Sequence, residues 1–228
     1  GAGIQVDELL NGYAVLVVPE HLVDQVSELN QIEYIEKPKR LFFASNMARA
    51  ASCLSVVQSP SGTGNVTGGV ISGLSGGLTG RGVLVAVIDS GIDYLNQDFR
   101  NEDGSTRILM LMDQDRGRIY TREEINEAQD APDRAGALER VPSVDLSGHG
   151  TAVAAIAAGN GRGSQGVYRG VAYESDLLVV KLGAPLADNF PRTTQLMKGL
   201  DFVIRQAQEL GRPVAVNLSF GNTYGSHD

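Results

Sequence analysis

At 228 residues the chain is long enough for one substantial core, or for one core with a small extra domain. A formal net charge of -8, with 42% hydrophobic and 20% charged residues, excludes the basic surface that nucleic-acid binding requires. No apolar run approaches the ~20 residues of a membrane span, and the lone Cys53 excludes an internal disulfide and argues against a thiolate zinc site.

From the amino end, residues 1–12 carry Asp7 and Glu8 and no basic cluster, so they do not read as a secretory signal. "YAVLVVP" reads as a strand, residues 20–29 as a short helix, and "IEYIEKPKRLF" as a return strand stopped by Pro38. Together they make half of a small βαβ-type layer over 1–44, with too little core to persist alone. Residues 45–81 follow, poor in charge and crowded with Gly and Ser. "SPSGTGNVTGGVISGLSGGLTGRG" has neither helical nor strand period, so it is a connection whose ordering requires packing or function.

Residues 82–228 form the main domain. "GVLVAVID" opens it as a short, fully buried strand ending in Asp89. The "ILMLM" of 108–112 is a second strand. Thr121 and Glu124 in "TREE" have the spacing of a capping box that starts a helix. The Ala-rich run 152–158 is apolar on all sides and predicts a central helix packed closely under a sheet. Residues 177–182 are a further buried strand. Leu196, Leu200, Val203, Ile204 and Ala207 share one face of a helix over 193–210, which Gly211 and Pro213 end before the strand "VAVNLSFG". All-apolar strands alternating with helices predict a parallel sheet covered on both faces.

Two residues stand out chemically. Asp89 sits at the carboxyl end of a buried strand, where open α/β sheets place their working groups, and burying a carboxylate there is costly unless its charge is used. An isolated Asp-Ser-Gly would be read as a turn cap. His149 lies between Gly148 and Gly150 at the start of the Ala-rich helix, where the helix field disfavours the imidazolium and favours a neutral base. The flanking glycines leave room for a carboxylate and a substrate. Asp and His together are two thirds of a nucleophilic triad. "GRGSQG" matches a dinucleotide fingerprint in letters but follows a helix rather than a strand, and reads as a surface turn. Lys181, at another strand end, reads as the partner of a nearby carboxylate.

"VAVIDSGID", "GHGTAVAAIAAG" and "VNLSFG" resemble, in order and spacing, the subtilisin-like serine proteases, and within them most resemble the Csp-type germination proteases of clostridia. "IEYIEKPKRLFF" extends the resemblance into the prodomain. It implies a subtilisin-like α/β fold of three layers around a mostly parallel sheet, incomplete in this chain and preceded by part of an α+β prodomain. Asp89 would be the triad aspartate, His149 the general base, and Ser219, Phe220 and Gly221 the strand that pairs with substrate backbone. Catalysis would need no cofactor, although Asp98 lies where subtilases place a ligand of a structural calcium.

The chain departs from the family pattern at Ala152 and Ala155, where His and Gly are usual, and at Asn96-Gln97-Asp98, where His-Pro-Asp is usual. The family nucleophile, in Gly-Thr-Ser-x-Ala, and the oxyanion Asn have no counterpart here, and Ser226 reads as a plain loop serine. The resemblance therefore implies a serine endopeptidase whose serine lies on a complementary carboxyl-terminal fragment. Its partners would be that fragment, its own prodomain and a protein or peptide substrate, activated by limited proteolysis. Processing would fall between Ala44 and Cys53, and the setting would be spore-associated or secreted. The alternative is an inactive subtilase-like binding or signalling protein.

Overall fold

The computed structural model describes residues 3–39, 42–43, 78–183 and 191–221. Most of the Gly/Ser-rich connection, Cys53, the expected processing region and Ser226 lie outside these residues.

The centre is a five-stranded sheet in the order β6-β5-β7-β4-β8, built from β4 (Leu84–Asp89), β5 (Ile108–Asp113), β6 (Arg118–Thr121), β7 (Asp176–Lys181) and β8 (Val214–Leu218). β5, β7, β4 and β8 run parallel, and β6 returns antiparallel along β5 at the far edge. Alternation along β4 divides the core. Val85 and Val87 face one layer with Ile108, Leu111, Leu177 and Val179, while Leu84, Ala86 and Ile88 face the other with Leu178 and Val180.

The first layer is covered by three helices: α2 (Arg122–Gln129), α3 (Arg134–Arg140) and α4 (His149–Ala158). Thr121 and Glu124 close the expected capping box, each accepting the other's backbone N–H. α5 (Thr193–Glu209) covers the second layer with Phe202, Val203 and Ala207. Helices, sheet and helix make the three layers expected of a subtilisin-like fold.

Several expectations are corrected. α4 is apolar throughout 152–158 but not buried on all sides: Val153, Ala154 and Ala158 are buried, whereas Ile156 is exposed. β8 is not covered on both faces by the described residues, since Val216 and Leu218 are exposed. In the amino-terminal part the sheet is an antiparallel ribbon rather than a βαβ layer. β1 (Gln5–Glu8) pairs with β2 (Ala14–Val17), and a 3-10 turn Glu20–Leu22 runs into α1 (Val23–Ser27). Residues 32–39 form no strand, and the extended pairing begins only at β3 (Phe42–Phe43). No helix among the described residues is long and apolar enough to cross a membrane.

Candidate active site

Asp89 is the last residue of β4 and has no solvent exposure. Its Oδ1 accepts the Ser90 amide at 2.7 Å and lies 2.8 Å from Nδ1 of His149. His149 is the first residue of α4, so the sheet delivers the carboxylate and the helix delivers the imidazole. Two glycines make the junction possible. Gly148, the N-cap, has φ +73°, a left-handed conformation that side chains disfavour. A Cβ on Gly150 would lie 2.2 Å from the Gly91 carbonyl oxygen and 3.1 Å from Asp89 Oδ1. The two residues singled out from the sequence are thus brought into direct contact.

A second carboxylate, Asp145, organises the approach to the helix. Its Oδ1 accepts the Gly148 amide at 3.0 Å and the Ser90 hydroxyl at 2.8 Å, with the Ser147 hydroxyl oxygen 3.2 Å away. Its Oδ2 accepts the amide and the hydroxyl of Thr151, at 2.8 and 2.7 Å. Burial works to raise the Asp145 pKa, but the Thr151, Ser90 and Gly148 donors outweigh it and hold the carboxyl below its ordinary value. Sequence reasoning missed Asp145 and Ser90. The signal was present as an acidic residue three positions before a glycine N-cap that has no side chain of its own to accept an amide.

Lys181 pairs in register with both Asp89 and Asp113 on the neighbouring strands. Its ammonium lies 3.7 Å from Asp113 and 3.4 Å from Asp115, as its expected carboxylate-pairing role requires. Ala152 lines a cavity of about 380 Å³ beside α4, with Asp93, Arg134, Ser143 and Asp145 among its other walls. Ala152 lies one turn along α4 from His149, whose contact with Asp89 is formed.

Ser219 is buried, and its hydroxyl donates to Asn217 Oδ1 at 2.7 Å. Phe220 and Gly221 form β9, which pairs antiparallel with β3, Phe42 opposite Gly221 and Phe43 opposite Phe220. The amino-terminal part is held on α5 by further bonds. The Leu10 amide donates to Asp201 at 2.7 Å, Lys39 and Thr193 exchange two bonds, and Asp7 pairs with Lys198.

Asp98, in the 3-10 turn Gln97–Phe99, stands apart from this group. Its Oδ1 accepts the Gly163 amide at 2.7 Å, and its carbonyl accepts from Arg107 at 3.1 Å. The buried Arg107 guanidinium, pushed down to about 10 by burial, also takes the carbonyls of Ala158 and Ser175, and Arg162 takes that of Asn101. Calcium needs six or more oxygens. Around Asp98 the described residues supply one engaged carboxylate and two guanidinium groups already bonded to the local carbonyls, which does not fit a calcium cage. No group of three or more His, Cys, Asp or Glu side chains among the described residues is placed to hold a metal ion.

Residues 80–228 match the subtilase family, and residues 1–39 match the Csp protease B prodomain. The solved structure of the Clostridium perfringens CspB protease is similar at 40% identity with a TM-score of 0.60. The match covers 66% of this chain and 31% of that one. This chain thus spans about a third of the length of that relative.

Proposed function

The chain belongs to the subtilase family, and on that premise we propose that it carries the Asp–His part of a serine endopeptidase, with the nucleophilic serine supplied from outside these 228 residues. The observation that carries the proposal is the 2.8 Å contact between Asp89 Oδ1 and His149 Nδ1 at the end of a buried parallel strand. Asp89 accepts the Nδ1 proton, which fixes the ring and leaves Nε2 as the base. His149 Nε2 takes the proton of the attacking serine hydroxyl, then gives it to the leaving amine as the acyl-enzyme forms. Water reverses the sequence. Asp89 stays ionised and stabilises the imidazolium that forms between these steps.

Substrate backbone would add along Ser219–Gly221, a β-augmentation that satisfies peptide groups on both strands. The antiparallel pairing of Phe42 and Phe43 with Gly221 and Phe220 supports this use of the edge. It also supports a second role for the amino-terminal part, as a docked prodomain that occupies the edge and inhibits. Limited proteolysis of another protein is the activity this arrangement suits.

The test uses the complete gene product that contains this chain. It should take one serine-directed fluorophosphonate adduct by intact mass and hydrolyse peptides, and His149→Ala should abolish both. Loss of a triad member commonly leaves only ~10³–10⁴-fold catalysis over water. A folded wild-type protein that takes no adduct would instead be the inactive, binding relative.

A further inference from the structure

We infer that Asp145 is a positioning residue for His149. It fixes the start of α4 and draws the neighbouring hydroxyl protons to itself, so that Asp89 Oδ1 is kept for the imidazole. The inference rests on the reading of Asp89 and His149 as the reacting pair.

Proton accounting leads to it. Ser90 Oγ lies 2.8 Å from Asp145 Oδ1 and 3.1 Å from Asp89 Oδ1, and a hydroxyl has one proton to give. Its acceptor side is filled by the Gly150 amide at 2.9 Å and the Ser147 hydroxyl at 2.8 Å. The chain of donors therefore runs Ser147 to Ser90 to Asp145, and each link points away from the triad carboxylate. Asp89 Oδ1 is left with the Ser90 amide and the imidazole. Without a carboxylate at 145, the Ser90 proton would turn to Asp89 Oδ1 as a third donor. That would weaken the pull of Asp89 on Nδ1–H and make His149 less basic.

A plain helix cap would not account for this arrangement. An N-cap acceptor serves one or two amides of the first turn. Asp145 lies outside the helix, serves the Gly148 and Thr151 amides, and is joined through Ser90 to Asp89, on a different element. Gly91, with φ +124°, turns the chain after β4 so that it packs beside Asp145 and Lys181.

Among the described residues, further charged groups stand near the pair or its partners. Asp89 faces His149 from β4, and Lys181 borders the same space from β7 but is paired with Asp113 and Asp115. Asp93 and Arg134 stand across the adjacent cavity, 3.2 Å apart and paired with each other. Asp145→Asn removes a negative charge near the imidazole and exchanges an anionic acceptor for a weaker amide oxygen, so the Ser90 proton shifts towards the ionised Asp89. Both changes disfavour the imidazolium, so both lower the His149 titration.

The experiment compares complete wild-type, Asp145→Asn and Ser90→Ala proteins in two readouts. One is the pH profile of kcat/KM on a peptide, the other the NMR titration of the His149 ring. For Asp145→Asn the acidic limb and the ring titration should both move down by roughly 0.5 pH unit or more, with kcat reduced about tenfold or more and KM little changed. Reduced rate and stability with the limb and titration unmoved would show a merely structural cap and overturn the inference. Should Asp145→Asn fail to fold, Ser90→Ala decides. It removes the competing hydroxyl proton and leaves Asp89 Oδ1 with the Ser90 amide and the imidazole, so the ring titration should stay in place or rise, and a fall would show that Ser90 supports Asp89 and overturn the inference. If the wild type hydrolyses nothing, the protease reading fails, while the ring titration still decides the role of Asp145.

Discussion

Gly150→Ala sets helix propensity against close approach, and the two predict opposite signs. Propensity alone favours the change, because Ala exceeds Gly by about 1 kcal/mol in a helix. The geometry forbids it. The added Cβ would stand 2.2 Å from the Gly91 carbonyl oxygen, and real Cβ contacts essentially never fall below 3.0 Å, so the helix start must retreat by at least 0.8 Å (3.0 minus 2.2). The obstacle is backbone, in a loop pinned by the Asp93 amide on Thr151 and by Ser90 on Asp145, so it yields little. Overpacking of this kind costs about 1–3 kcal/mol. The retreat also carries His149 away from Asp89, opening a 2.8 Å contact by a sizeable fraction of an ångström. Misplacement of about 1 Å commonly costs ~10²-fold in rate. The assay is kcat/KM for peptide hydrolysis by the complete protein, beside its thermal midpoint. The expected result is a lower midpoint and a rate reduced by roughly one to two orders of magnitude. A variant as stable as wild type and within about twofold of its activity would show that α4 is not held against β4 as argued.

Two further outcomes follow from other contacts. Tyr94 is buried, its hydroxyl lies 3.0 Å from the Ala137 carbonyl and 2.9 Å from that of Val141, and burial pushes its pKa up to about 12. Tyr94→Phe leaves both carbonyls without that donor and should cost about 1–2 kcal/mol by denaturant unfolding, with peptidase activity retained. Asp201→Ala with Lys198→Glu removes the partners of the Leu10 amide and of Asp7 on α5. Hydrogen exchange at residues 219–221 should then speed up, and peptidase activity should rise. Unchanged protection and activity would leave the amino-terminal part as an ordinary lobe.

What the sequence made legible was whatever had a strong period or a covalent neighbour to confirm it. β4 was readable because all six of its residues are buried, and α5 because one face packs on the sheet. Asp89 and His149 were readable because each sits at a strand or helix end beside glycines. β1, with sequence QVDE and every residue exposed, has no buried face to impose a pattern. β6 exposes three of its four residues and was missed for the same reason. Over 32–39 the sequence suggested a strand, but these residues have no strand partner, and the Ile32 and Lys39 amides donate to the Leu29 carbonyl and the Thr193 hydroxyl instead. Asp145 left only one local signal, its spacing before the glycine N-cap, and the rest of its role was illegible for another reason. Its partners are spread over Ser90, Ser147, Gly148 and Thr151, and only folding brings β4 and α4 together around it.

The same geography bears on why the amino-terminal part can act at a distance. β3 is two residues long, and so short a strand cannot hold itself on an edge. Its position on β9 is set by contacts farther back, and those with Lys198, Asp201 and Thr193 all fall on α5. α5 in turn lies close on the sheet at Gly199, where an added Cβ would stand 3.0 Å from Val180 Cγ1 and 3.4 Å from Ile88 Cγ2. Ile88 is the residue before Asp89. One helix therefore carries the amino-terminal segment on its outer side and supports the strand that ends in Asp89 on its inner side. Binding energy gained on the outer side stabilises the packed arrangement of the inner side, by the linkage that any ligand of the folded state obeys. Docking should then both obstruct the edge and raise the stability of the domain, and releasing the segment should lose both together.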